Sequence, residues 1–283
     1  MATICACKGI RTCLICENKC VPLVGNEHQQ SQRTLFNDAA KKEFVYCNIC
    51  KNGFLLTPSC VNKHPDHSDV SIEFPGIELV EDFIDDIEES KICAEIDQVQ
   101  WIDSQSGRRK QDYGPKVNFK KKKLQMKVFS GFPPFSEALV ERFKRVPLLK
   151  ENFIPIELCN LEYTPERGSA IDPHFDDFWL WGEKLVTLNI LSDTYLSMTR
   201  DNSDIEVLVP LPRRSLLVVY GPARYEWKHG IHRHHIEARR LAVTFRELTP
   251  EFLPGGLRES DGNVLIQTAM NYNGISVGCI PNK

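Results

Sequence analysis

The second half of the chain is built from short apolar runs separated by turn residues. FIPIELCNLEY from Phe153, LVTLNIL from Leu185, DIEVLVP from Asp204, SLLVVYG from Ser215 and IEARRLAVTFREL from Ile236 all have strand length and composition. Repeated at such intervals, they predict a sandwich or barrel. Earlier in the chain the period changes. After Pro75-Gly76, IELV reads as a strand, and then Ile84, Ile87, Ile92, Ile96 and Val99 fall near one helical face. Asp85, with Glu88 three residues on, has the form of a capping box, so a helix of about fifteen residues is expected there. A second helix is expected over 136–145. The pattern predicts a mainly β fold with flanking helices, of the α+β class.

The first seventy residues do not share this texture. Eight of the eleven cysteines lie there, at Cys5, Cys7, Cys13, Cys16, Cys20, Cys47, Cys50 and Cys60. Each of the pairs Cys13/Cys16 and Cys47/Cys50 has the spacing that lets two thiolates meet one tetrahedral ion. Cys5, Cys7, Cys13 and Cys16 together make a four-sulfur zinc site. Cys60, His64 and His67 offer further ligands to a second site around Cys47 and Cys50, and the partition is not legible. Free thiols in a flexible segment, or an iron–sulfur cluster, are the alternatives. Residues 21–42 are polar and aperiodic and read as a linker, which gives a cysteine-rich segment over 1–70. The main domain is expected over 71–250. The remainder, 251–283, opens on the turn-rich PEFLPGG and carries no motif.

Composition narrows the classes. The 283 residues are 42% hydrophobic and 26% charged, enough for a large core and incompatible with global disorder. A net charge of −3 excludes a uniformly basic nucleic-acid coat but permits a local patch. One exists: residues 104–130 hold nine Lys or Arg against the single acid Asp112, with Tyr113, Phe119 and Phe129 interleaved, the make-up of a loop that faces nucleic acid. No apolar run reaches the roughly 18 residues of a membrane span, and the N-terminus lacks a signal-peptide pattern. An intracellular protein with no membrane partner is expected.

The chemistry centres on His174-Phe175-Asp176. On a strand, residues i and i+2 share a face, so imidazole and carboxylate can grip one ion. HxD alone is common by chance. His229, in WKHGI after the SLLVVYG strand, supplies the second imidazole of a facial triad, which leaves three positions open on non-haem Fe(II) for a bidentate 2-oxo acid and dioxygen. Such an acid needs a permanent planar cation. Arg240 and Arg246, six apart in RLAVTFR, lie on one strand face and can supply it. Singly, each would read as a surface ion pair.

The order HxD, WxHxI and RxxxxxR resembles the AlkB family of Fe(II)- and 2-oxoglutarate-dependent dioxygenases. Longer strings carry the likeness from Cys5 to about Leu248: CxCKGIRTCLICE, SQSGRRKQDYGPKVNF, YTPERGSAIDPHFDD, WLWGEKLV, LPRRSLLV and WKHGIHRHHIEARR. The resemblance implies a double-stranded β-helix, or jelly roll, with His174, Asp176 and His229 as iron ligands. It further implies that Arg240 salt-bridges the far carboxylate of 2-oxoglutarate, with Arg246 close by and Tyr163 hydrogen-bonding to the cosubstrate. The basic 104–130 stretch corresponds to a lid over the substrate. Two departures stand out. Asn160-Leu161-Glu162-Tyr163 is one residue longer than the Asn-x-Tyr of many members, which turns Asn160 to the opposite face unless a bulge intervenes. Ala242 stands where some members have asparagine.

The branch of the family that these strings resemble implies oxidative removal of a monomethyl group from an actin lysine, with a role in actomyosin function, and activity on N6-methyladenine in DNA. Methyl-lysine is the first choice, because Asp177, Phe178, Trp179 and Trp181 beside the HxD suit a methylammonium. Aromatic rings also stack bases, and Trp179 and Trp181 read equally as core. His232, His234 and His235 read as a surface run rather than iron ligands. The reading from another class is a non-catalytic, zinc-dependent interaction scaffold. Actin as partner, DNA as the alternative partner through 104–130, and a cytoplasmic and nuclear location are the corresponding expectations.

Overall fold

The computed structural model describes residues 41–57 and 64–278. Cys5, Cys7, Cys13, Cys16, Cys20 and Cys60 lie outside the described residues, and the expected four-sulfur site lies outside them too.

Alternation of side chains across each strand produces two layers. One seven-stranded sheet runs, in spatial order, β10 (Ile171–His174), β15 (Lys228–Ile231), β12 (Thr194–Thr199), β13 (Ile205–Leu211), β1 (Lys42–Cys47), β2 (Asn52–Leu55) and β3 (Ser71–Glu73). The other runs β4 (Ile77–Val80), β14 (Ser215–Val219), β11 (Trp181–Ile190), β16 (Arg240–Leu248), β9 (Pro155–Tyr163), β6 (Arg109–Tyr113) and β5 (Ile102–Asp103). Between the sheets lies a core to which Met198 and Val207 come from the first sheet and Leu185, Leu217 and Ala242 from the second. Leu216, Val218, Leu241, Val243 and Phe245 point the other way, into a core shared with the helices. Strand β14, SLLVV, apolar from Leu216 on, is thereby buried on both faces. This is the expected jelly roll, with helices covering the outer face of one sheet.

Helix α1 (Asp86–Gln98) is shorter than predicted but begins where predicted. The Glu88 amide donates to Asp85 Oδ1 at 2.8 Å, and the Asp85 amide donates to Glu88 Oε2 at 3.0 Å. Ile92 and Ile96 are buried, whereas Ile87 is 66% exposed and lies off the face assigned to it. Helix α2 (Ser136–Phe143) stops short of residue 145. After it come a one-turn helix α3 (Gly221–Tyr225) and α4 (Glu259–Ala269). The boundaries expected at 70 and 250 are not structural ones. Strand β1 pairs in parallel with β13, and Phe252, Leu265 and Ala269 sit in the helix-side core. A chain segment that buries apolar side chains in a shared core cannot stand apart from it.

Candidate metal and cosubstrate site

Strands β10 and β15 pair antiparallel with His174 directly opposite His229, which places the two ring centroids 4.4 Å apart. Asp176 lies two residues past His174, and its Oδ1 is 3.8 Å from His174 Nε2. Among the described residues, one ligand atom from each of His174, Asp176 and His229 falls within 4.8 Å of the other two. His174 Nδ1 donates to the Asp172 carbonyl at 2.9 Å, which orients the ring so that Nε2 is the nitrogen on the Asp176 side. His232 and His234 stack, His235 meets His234 edge-on, none of the three belongs to this cluster, and His232 pairs with Glu206.

The Asp176 carboxylate is held by Arg246 and its backbone by Arg224. Arg246 donates from Nε to Asp176 Oδ2 at 2.8 Å and from Nη2 to Oδ1 at 3.1 Å, while its Nη1 meets Glu157 Oε2 at 2.6 Å. Burial alone would raise the pKa of Asp176. The adjacent Arg246 charge and the two imidazoles outweigh burial and hold the group well below the usual carboxylate range, ionised and ready for a cation. For Glu157, burial wins over Arg246 and the pKa rises. Arg224, buried in α3, donates to the carbonyls of Asp176 at 3.1 Å, Asp177 at 3.0 Å and Trp181 at 3.3 Å, pinning the loop that carries the ligand. Sequence reasoning missed Arg224 and Glu157. The first lies in a one-turn helix with no motif, and the second gains its role through a partner 89 residues away.

Arg240 opens onto the pocket between the sheets, about 650 Å³ including its mouth, which His174, Asp176 and His229 also line. The even spacing to Arg246 does put both arginines on the inner face. Arg240 Nε donates to Asn189 Oδ1 at 2.6 Å, and its guanidinium lies 4.9 Å from the centre of the Tyr163 ring. Its Nη1 is buried without a hydrogen-bond partner among the described residues. An unmatched guanidinium donor in a pocket beside two imidazoles and a carboxylate fits a dicarboxylate that bridges metal and arginine. Asn189, also missed, is itself held by donating to the carbonyls of Ser192, Leu211 and Pro212.

The register of β9 resolves the longer Asn-Leu-Glu-Tyr. Residues Glu157 to Tyr163 pair with Arg246 to Arg240 one for one, without a bulge. Asn160 therefore points away from the pocket, donating to Gln111 Oε1 at 2.9 Å, and Leu161 faces inward opposite Ala242. An apolar pair therefore lines this part of the pocket.

Outside the pocket, a wider cleft is lined by His174, Asp176, Phe175 and Trp181 from the jelly roll, and by Arg108, Lys110 and Phe119 from the basic stretch. Strand β6 of that stretch is an integral part of the sheet. The hairpin of β7 (Lys116–Asn118) and β8 (Lys123–Gln125) projects from it, and Phe119 meets the Trp181 ring edge-on at 6.1 Å. Tyr113 and Phe129 are buried and are not available to stack bases. Trp179 belongs to the core, with its indole N–H on Glu251 and its ring against Phe252.

No protein-family model matches the chain. Among individual proteins, it is 44% identical over 300 residues to human alpha-ketoglutarate-dependent dioxygenase alkB homolog 4, covering 95% of this chain and 94% of that protein. It is 38% identical over 271 residues to a Caenorhabditis elegans protein named DNA N6-methyl adenine demethylase, covering 93% of each. The solved structure of OsALKBH1 covers 62% of this chain and is itself covered completely, with a TM-score of 0.44 and 14% identity.

Proposed function

The chain belongs to the AlkB family of 2-oxoglutarate-dependent dioxygenases, and from that premise we propose that it removes an N-methyl group from a lysine side chain, with monomethyl-lysine of actin as first choice. Fe(II), 2-oxoglutarate and dioxygen together supply the hydroxylation of the methyl C–H bond, with succinate and carbon dioxide as by-products; the hydroxymethyl amine then releases formaldehyde. His174, Asp176 and His229 would hold the metal, and Arg240 with Tyr163 would receive the far carboxylate. Arg246 keeps Asp176 ionised and oriented. The apolar Leu161 and Ala242 exclude water beside the cosubstrate. No side chain has to transfer a proton in the oxidative step, so the protein's share is positioning and shelter.

The observation that carries the substrate reading is the lining of the outer cleft. Asp103, Asp112 and Asp177 line it with the rings of Phe119, Phe175 and Trp181, a set that suits a methylammonium, although Arg108 and Lys110 line it too and Lys110 pairs with Asp112. Actin would then be a protein partner, met in the cytoplasm and nucleus. DNA N6-methyladenine is the second reading, favoured by the name of the nematode relative and by the basic hairpin. We further propose structural zinc on Cys5, Cys7, Cys13 and Cys16. Formaldehyde release by the iron-loaded protein, from monomethyl-lysine actin and from N6-methyladenine DNA, tests the choice against a His174→Ala blank. Release from actin is expected; release from DNA alone would replace the first reading by the second.

A further inference from the structure

A second group of ligand atoms lies at the opposite end of the first sheet. Cys47 ends β1, Cys50 follows in the turn to β2, and His64 and His67 precede β3. Among the described residues, one ligand atom from each of these four falls within 4.8 Å of the others. Cys50 Sγ is 3.4 Å from His64 Nδ1 and 3.6 Å from His67 Nε2. Metal–sulfur and metal–nitrogen distances of about 2.3 and 2.05 Å in a tetrahedron place sulfur and nitrogen about 3.6 Å apart, so these separations are those of its edges.

The surroundings fit ligation. The Cys50 amide donates to Cys47 Sγ at 3.4 Å, the kind of contact that stabilises a thiolate, and the Lys51 amide closes the turn onto the Cys47 carbonyl at 2.8 Å. Lys51 takes a left-handed φ of 58° to make that turn. The His67 ring stacks on Phe54 with centroids 3.9 Å apart and planes 10° apart, which aims Nε2 at Cys50. Its Nδ1 is buried with no partner among the described residues, so the ring's polar anchorage runs through Nε2.

We propose that Cys47, Cys50, His64 and His67 form a closed tetrahedral zinc site with a structural role. Two thiolates and two imidazoles are a donor set of zinc; in a Rieske cluster the same donors divide between two irons, whereas here Cys50 Sγ lies at 3.4 and 3.6 Å from the two imidazoles, the spacing of ligands on one ion. The ion ties the β1–β2 turn to the segment entering β3. That turn also reaches the other sheet, through Tyr46 Oη to the Ile77 carbonyl at 3.2 Å and Asn48 Nδ2 to the Leu79 carbonyl at 2.9 Å. Zinc there fastens the sheet edge remote from the iron strands, with β13 and β12 between β1 and β15.

The test is metal content and cobalt spectroscopy of the full chain in a background carrying His174→Ala and serine at Cys5, Cys7, Cys13, Cys16, Cys20 and Cys60, so that neither the iron site nor the other front thiols bind. One zinc per chain is expected, and cobalt in its place should show intense tetrahedral bands with thiolate charge transfer. Adding Cys50→Ser should remove both, whereas His64→Cys should keep the metal and strengthen the charge-transfer band. A folded background chain without zinc, or a Cys50→Ser chain that keeps a full equivalent, would overturn the assignment. Should Cys50→Ser fail to fold, a cobalt spectrum of the background chain lacking thiolate charge transfer would overturn it equally.

Discussion

At the scale of single residues, the pocket is governed by hydrogen bonds to the two inner arginines. Arg240 is buried beside a tyrosine and an asparagine, and burial lowers its pKa by more than Tyr163 restores, with no carboxylate beside it. A buried guanidinium in that state gains most from a bound carboxylate, because the ligand both neutralises it and satisfies Nη1. Arg240→Lys substitutes a point charge for the fork and should raise the KM for 2-oxoglutarate by roughly tenfold or more, with a smaller change in kcat. Asn189→Ala frees the same guanidinium to swing and should raise that KM by a few-fold. Both follow from succinate formation measured against 2-oxoglutarate concentration. Equal KM values for the Arg240→Lys variant and the parent would mean that the far carboxylate is bound elsewhere. Iron affinity should be unaltered in both variants, since neither side chain hydrogen-bonds to His174, Asp176 or His229, the residues proposed to hold the metal.

At the scale of elements, legibility depended on whether a signal was local. The capping box over Asp85 and Glu88 announced α1, and the distal histidine and the arginine spacing could be read because strand periodicity fixes which face each residue takes; the HxD was legible as a motif, but Asp176 lies past the end of β10, on the loop that Arg224 holds. Asn160 turned outward for the same reason. Ile87 misled because an apolar residue at a plausible spacing was counted toward a face that it does not share. Asn189, Arg224 and Glu157 were illegible, because each acts through a partner brought near only by the sheet order. Glu206 on β13 belongs with them. It is buried, accepts from Ser197 and pairs with His232, with Lys41 nearby. Burial raises its pKa, yet His232, Ser197 and Lys41 together lower it from 4.5 to about 2. Its contribution is therefore complete above pH 4.5 and is lost as pH falls from there toward 2, on the order of 2 kcal/mol. Thermal melts of Glu206→Gln should be lower than those of the parent at neutral pH, and the difference should shrink as pH falls from about 4.5 and vanish only toward pH 2. A constant difference at every pH would show that the charge on Glu206 contributes nothing.

At the scale of the whole molecule, two charge distributions face the same substrate. The cleft beside His174 and Asp176 offers carboxylates and rings, with Arg108 and Lys110 among its lining, whereas the hairpin whose Phe119 reaches it carries Lys116 and the run Lys120–Lys123, all exposed. A methylated lysine entering the cleft is governed by the first distribution, and a nucleic-acid backbone lying across the hairpin by the second. These have different signatures in salt. Each lysine that neutralises a phosphate adds about 0.7 to 0.9 to the slope of log affinity against log salt. Changing Lys120–Lys123 to serine should therefore flatten that slope by roughly 3 for DNA if all four meet phosphate. A short monomethyl-lysine peptide, too small to reach the hairpin, should be turned over equally by both proteins and with little salt dependence, since the deciding charges lie inside a cleft where screening is weaker. Loss of peptide turnover on removing these lysines would place them in the substrate path and count against a cleft that selects its substrate by acidic and aromatic contacts alone. Unchanged peptide turnover with a flattened DNA slope would separate the two roles, leaving the hairpin to recruit polyanions and the cleft to choose what is oxidised.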